Sequence, residues 1–296
     1  MSYLKKYNYT PDSQKIASSI ESIVAGAESV ASPEVFKTCF SFMDLTTLHT
    51  QDTPASVRKL VDKVTRLRGE YPSYPLPASV CVYPNFASVV RDARPVEELH
   101  VTTVSSCFPS AQSFLEVKVR ECELAVENGA DEVDIVLALN AFLAGDFDAA
   151  SGEIRAMKAA IDAAAAKQKR TVVLKVILET GLLVTLENIA EASFLAMEAG
   201  ADFIKTSTGK VEVNATPTSA YVMCECIRAF HEVTGRKVGF KAAGGISNAK
   251  DALCYYCIGR HVLGEEWMNK DSFRFGVSRL GNSLMSAIEQ KTVNFF

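Results

Sequence analysis

Two strings in this chain hold residues that could do chemistry, FIKTSTGK at 203–210 and VGFKAAGGI at 238–246. Each reads as a strand ending in a lysine, Lys205 and Lys241, followed by a loop of small residues. A lysine on an otherwise apolar strand is expensive to bury. Two of them, one repeat unit apart, suggest a paired-lysine site in which one amine is kept neutral and nucleophilic. The glycines just beyond each lysine leave backbone N–H groups free to hold a phosphate.

The elements that must position these lysines alternate strand and helix with no clear linker, the pattern of a parallel α/β domain. Strands are expected at 38–44, 79–83, 100–105, 132–137, 172–178, 202–206, 237–241 and 273–276. Helices fill the gaps, clearest at 111–129, 145–168, 185–199, 216–234 and 247–260, and another at about 12–30 precedes the repeat. Eight β/α units closing on themselves give a (β/α)8 TIM barrel with an extra N-terminal helix. A doubly wound sheet is the alternative, but no GxGxxG follows the first strand. The chain then reads as one barrel domain over 1–296, with an N-terminal helical extension over about 1–36. That extension would be either a contact between subunits or a cover on the barrel's bottom.

Composition narrows the classes. With 296 residues, 48% of them hydrophobic and 22% charged, the chain suits one barrel of about 250 residues plus an extension. The formal net charge is −4 and no basic tract stands out, which argues against a nucleic-acid partner. No run approaches the roughly 20 apolar residues of a membrane helix. The N-terminal MSYLKKYNYT lacks the apolar stretch of a secretory signal, and Asn294, Phe295 and Phe296 form no sorting tag. Eight scattered cysteines, among them Cys39, Cys81 and Cys122 in apolar segments, fit reduced buried thiols in a cytoplasmic protein.

Strand parity locates the chemistry. Lys175 lies on the face opposite Leu174 and Val176. Val133 and Ile135 flank Asp134, and Met43 and Leu45 flank Asp44. Ile204 and Phe240 point away from Lys205 and Lys241, and Gly239 on the lysine's face is expected to leave room beside Lys241. Five charged residues, Asp44, Asp134, Lys175, Lys205 and Lys241, should therefore project into the barrel. Parallel strands are normally near-continuous apolar runs, so these exceptions carry information. Two carboxylates balance two ammoniums, leaving the third lysine free to be neutral. Lowering a lysine from its usual pKa to a useful nucleophile's range takes about 4 kcal/mol. One ammonium at roughly 4 Å supplies a similar amount at an effective dielectric near 20. Charge balance does not distinguish Lys205 from Lys241, and Lys175 is most simply an aspartate's partner. Glu179 at the rim is expected to be offset by Lys210.

The last three strands end in Gly209-Lys210, Gly244-Gly245 and Gly276-Val277-Ser278. Backbone N–H groups of the final βα loops commonly hold phosphate in this fold. Thr206, Ser207 and Thr208 are placed either to bond substrate hydroxyls or to cap the turn. Cys254-x-x-Cys257 with His261 has spacing that could bind zinc. It falls in a helix with no fourth ligand evident, so the cysteines read as buried thiols and no metal site is assigned. His49 ends the first strand near the mouth and reads as an ordinary loop histidine.

In these residues the chain resembles the deoxyribose-phosphate aldolases, class I enzymes of the TIM-barrel type that form a Schiff base. The resemblance runs from about residue 36 to 290. It rests on MDLTTL (43–48), CVYPNF (81–86), DEVDIV (131–136), LKVILETG (174–181), the two lysine strings and FRFGVS (273–278), all in order. It implies that Lys205 forms the Schiff base, that Lys241 lowers its pKa, and that Asp134 is the acid/base of a water-mediated relay. Lys175 and Asp44 match a supporting polar network to which Thr206 is added, and Cys81 matches a cysteine lining the pocket. Gly209, Lys210, Gly244, Gly245 and Ser278 match phosphate-binding positions, and Gly276 lies in the same loops. Many members carry a basic residue where this chain has Ser247, and Ser or Thr where it has Arg279. Arg279 is therefore expected to replace the lost basic group. Some bacterial members end in a tyrosine that reaches the active site, where this chain has Phe296.

The resemblance implies reversible cleavage of 2-deoxy-D-ribose 5-phosphate to acetaldehyde and D-glyceraldehyde 3-phosphate, within deoxyribonucleotide catabolism. No metal or cofactor is implied, because an iminium does the polarising. The implied partners are small phosphosugars and aldehydes, not nucleic acid or membrane, and a homodimer or homotetramer is left open. The alternatives are a phosphosugar isomerase or another Schiff-base aldolase on the same barrel, and a non-catalytic barrel.

Overall fold

The structure, a computed structural model, describes residues 2–296. Eight strands form a closed parallel barrel in sequence order: β1 (Met43–Thr46), β2 (Ser79–Val82), β3 (His100–Val104), β4 (Glu132–Val136), β5 (Val173–Ile177), β6 (Phe203–Lys205), β7 (Gly239–Ala243) and β8 (Phe273–Val277). Three helices precede the barrel: α1 (Tyr3–Lys6), α2 (Ser13–Ala27) and α3 (Pro33–Ser41). After β1 to β3 come α4 (Pro54–Glu70), α5 (Ala87–Ala93) and α6 (Leu115–Glu127). α7 (Leu139–Leu143) and α8 (Phe147–Lys167) follow β4, and α9 (Thr180–Leu183) and α10 (Leu186–Glu198) follow β5. α11 (Pro217–Thr234), α12 (Ala249–Leu263) and α13 (Leu280–Glu289) complete the ring. The (β/α)8 TIM barrel with N-terminal helical structure is thus present as the sequence implied.

Strand register sets the interior. Asp134 pairs with Lys175 across β4 and β5, and Lys205 with Lys241 across β6 and β7. The outward residues Leu174, Val176, Ile204 and Phe240 are buried under the helices. At the mouth, α4 and α11 begin in matching ways. Thr53 and Thr216 accept from the backbone N–H of Ser56 and Ser219, whose hydroxyls accept in return, and Pro54 and Pro217 follow each cap.

Two segments differ from expectation. Residues 38–44 are mostly helical, because α3 starts at Pro33 with Ser32 capping the N–H of Val35, and the strand begins only at Met43. A short apolar run such as Cys39 to Met43 fits either state. The seventh strand extends past Lys241 to Ala243 rather than ending on the lysine. The N-terminal segment lies against the outer helices and not across the strands. The N–H groups of Tyr3 and Leu4 donate to the Glu191 carboxylate of α10 at 2.9 and 3.0 Å. Tyr7 stacks on Phe194 with ring centroids 4.4 Å apart, and α2 packs on α11 and α12.

Candidate active site

Asp134 is the hub of the interior. Its Oδ2 accepts from Lys205 Nζ at 2.9 Å and from Lys241 Nζ at 2.8 Å, and its Oδ1 accepts from Lys175 Nζ at 3.0 Å. The two candidate amines therefore meet on one oxygen inside the barrel, no further apart than those two bonds laid end to end. Lys241 also pairs with Asp44, and Lys175 lies 3.8 Å from the Asp44 carboxylate. Gly276 makes this packing possible: a Cβ there would come within 3.1 Å of Lys241 Cε and 2.8 Å of the Ala243 Cβ.

The surroundings separate the two lysines. Burial lowers Lys205 most strongly, Asp134 opposes, and the Lys241 ammonium adds to the lowering, so the amine sits below the ordinary lysine range. Burial alone would lower Lys241 too, but Asp134 and Asp44 outweigh it and hold that ammonium above the usual range. The difference is one carboxylate: Lys241 has two and Lys205 shares one. The surroundings thus act in opposite directions on the two amines that charge balance left equal, lowering Lys205 and raising Lys241. Lys205 ends its strand and keeps 4% exposure at the mouth, whereas Lys241 is fully enclosed. Burial would raise Asp134, yet the three lysines drive its carboxyl below the usual range, and it accepts from all three of them. Cys81 is enclosed beside this cluster, and burial raises its thiol.

Above the lysines a cavity of about 310 Å³ opens at the barrel's C-terminal face. Its lining brings together Lys205 with Gly209, Lys210, Gly244, Gly245, Gly276, Ser278 and Arg279, every residue expected at the phosphate loops. Gly244 and Gly245 both have φ of +84°, a left-handed turn that favours glycine. Lys210 Nζ donates to the Leu48 carbonyl at 2.7 Å, tying the loop after β6 to the loop after β1. Ser247 and His49 also line the cavity, which places His49 at the mouth where the sequence puts it.

Several side chains do something other than expected. Thr206 is committed to the backbone: its Oγ1 donates to the Ala243 carbonyl at 3.1 Å and accepts the Ala243 N–H at 3.0 Å, joining the ends of β6 and β7. Glu179 is held by Thr208, through its N–H at 3.1 Å and its hydroxyl, and not by Lys210. Gly239 makes room for the Phe203 ring, which a Cβ would approach to 2.3 Å, rather than for Lys241. Cys254 and Cys257 are half-buried free thiols, and the described residues contain no group of three or more His, Cys, Asp or Glu placed to share a metal ion.

Two interior charges were overlooked, Glu132 and Arg274. The Arg274 guanidinium donates to Glu132 at 2.7 and 3.1 Å and to Asp44 at 2.6 Å. Strand parity held the signal: Glu132 shares Asp134's face, and Phe273 and Phe275 flank Arg274 as the apolar pairs flank the other charges.

The sequence pattern of the DeoC/LacD family aldolases matches residues 38–254. This chain belongs to that family. It is an aldolase, a carbon–carbon lyase. It is 39% identical over 261 residues to the human deoxyribose-phosphate aldolase, covering 85% of this chain and 78% of that protein. It is 41% identical over 248 residues to the deoxyribose-phosphate aldolase of Bos taurus, covering 80% and 76%. The tetrameric structure of deoxyribose phosphate aldolase from Aeropyrum pernix superposes with a TM-score of 0.62 at 23% identity, over 95% of this chain and 98% of that one. That likeness speaks for the fold. Among the described residues no helix of this aldolase is long and apolar enough to cross a membrane.

Proposed function

We propose that this aldolase reversibly cleaves 2-deoxy-D-ribose 5-phosphate to acetaldehyde and D-glyceraldehyde 3-phosphate through a Schiff base on Lys205. Neutral Lys205 attacks the C1 aldehyde of the open-chain sugar, and loss of water gives an iminium. Its positive nitrogen draws the electrons of the C2–C3 bond. The C3 hydroxyl proton leaves through a water towards the Asp134–Lys241 relay, where Asp134 Oδ2 faces both Lys205 and Lys241. As the bond breaks, C3 becomes the aldehyde of the departing glyceraldehyde 3-phosphate. The relay returns that proton to C2 of the enamine left on Lys205, and water then hydrolyses the iminium, releasing acetaldehyde and the free amine. Lys241, held as an ammonium by two carboxylates, keeps the next cycle's Lys205 from retaining a proton.

The phosphate is assigned to the loops after β6, β7 and β8, whose glycines line one cavity together with Lys210 and Arg279. Gripping it there would hold the reacting carbons over Lys205 with binding energy from a remote part of the substrate.

The observation that carries this reading is the shared Asp134 oxygen beneath a mouth lined by phosphate-suited loops. Borohydride reduction with acetaldehyde should add a two-carbon fragment to Lys205 alone, as located by peptide mapping. An isomerase using a carboxylate base would give no adduct, and a non-catalytic barrel would give neither adduct nor sugar cleavage.

A further inference from the structure

We infer that the buried Glu132–Arg274 pair sets the protonation of Lys205 from the far side of the barrel, which makes both residues positioning residues for the lysine chemistry proposed above, on which this inference rests. Glu132 lies two residues before Asp134 on the same face, one layer deeper, and Arg274 reaches it from β8. The pair is joined to the lysines by two routes. In one, Lys175 bridges Glu132 and Asp134, and Asp134 holds Lys205. In the other, Asp44 bridges Arg274 and Lys241. Thr102 donates to Glu132 at 2.7 Å, and the Phe203 ring lies 5.8 Å from the guanidinium. All of these charged groups are at most 4% exposed, so solvent cannot screen them.

The charges then close. Asp44, Glu132 and Asp134 are matched by Lys175, Lys241 and Arg274, and Lys205 is the one interior amine left over. An uncompensated buried charge is strongly unfavourable, so the interior favours neutrality. With Arg274 uncharged, the set would carry one net negative charge, and Lys205 would take up the proton. With Glu132 uncharged, the set would carry one net positive charge, and Lys205 would release its proton more readily. The other groups around this set are Cys81 from β2, Glu179 above β5, Lys210 and His49 at the mouth, and His100 from β3. His100 contacts Glu132 at 2.8 Å and is 31% exposed, so it marks where the ladder meets solvent.

The test is the pH dependence of borohydride trapping with acetaldehyde at Lys205. Wild type would be compared with Glu132→Gln, Arg274→Met and the double variant, each checked for native near-UV circular dichroism. Glu132→Gln should move the trapping midpoint down by about one pH unit and Arg274→Met should move it up by about one, a tenfold change in free amine on the acidic side. The double variant should return close to wild type. Shifts in the same direction, no shifts, or a double variant that does not revert would overturn the inference, since a merely structural pair has no reason to act with opposite signs. If a single variant does not fold, His100→Lys decides: a fixed positive charge against Glu132 at the half-exposed bottom should lower the midpoint, and an unmoved midpoint counts against the ladder. Absence of trapping in wild type rejects the reading of Lys205 itself and this inference with it. Trapping with unshifted variants rejects only the inference.

Discussion

A carboxylate that accepts from three lysines can do two jobs, and substitution separates them. Asp134 holds the amines in place, and it also opposes the lowering of Lys205 that burial and Lys241 produce. Asparagine keeps the shape and removes the charge. In Asp134→Asn the Lys205 amine should lose its proton at a lower pH than in wild type, because the group that most favours its ammonium is gone. Schiff-base formation with acetaldehyde should therefore persist and extend to more acidic pH. Sugar cleavage should fall by about 10²–10⁴ in kcat, the usual worth of a positioned acid/base group. Trapping and cleavage assays on the same preparation check both halves. Loss of trapping together with cleavage would mean that Asp134 acts mainly by holding Lys205 in place.

At the scale of elements, strand ends decide which charge reaches the mouth. β6 stops at Lys205, while β7 continues two residues beyond Lys241, so partners in register differ in depth and access. The alternation of charged and apolar residues made the inward faces of β1 and β4 to β7 legible, because burying a charge leaves a trace in an otherwise apolar run. Glu132 and Arg274 left the same trace, but a pair of opposite charges on β4 and β8 does not alter the balance and is not needed to explain a neutral lysine. The strand expected at 38–44 failed for another reason: what separates α3 from a strand is the Ser32-Pro33 start, which outweighs the apolar run behind it. Side-chain commitments such as Thr206 to Ala243 depend on where two loops meet and leave no local pattern. The loops proposed to hold phosphate stand out in the sequence as glycines after successive strands, and Arg279 lines the same mouth beside Ser278. Arg279→Ala should raise KM for 2-deoxyribose 5-phosphate about tenfold while leaving cleavage of unphosphorylated 2-deoxyribose unchanged, the loss expected for one charge-assisted contact to phosphate. Equal effects on both sugars would place Arg279 outside the phosphate grip.

At the scale of the molecule, the N-terminal segment acts on the barrel from outside. It clasps α10 through Glu191 and the Tyr7–Phe194 stack, and α10 in turn packs on β6, the strand that presents Lys205. Tyr7 is only 5% exposed, so its ring contributes as a core residue does although it precedes the barrel. Tyr7→Ala should destabilise the fold by about 3 kcal/mol, within the range for a large buried side chain. For a chain of this size that lowers Tm by about 5 °C, measurable by thermal melting. The site itself is held by bonds between strands, with Asp134, Lys175, Lys205 and Lys241 anchored on β4 to β7. kcat/KM well below the lowered Tm should therefore stay within about twofold of wild type, since nothing in the lysine network touches the segment. A variant that stays folded yet loses cleavage would show that displacing α10 moves Lys205, and that the clasp fixes the strand as well as covering the helices.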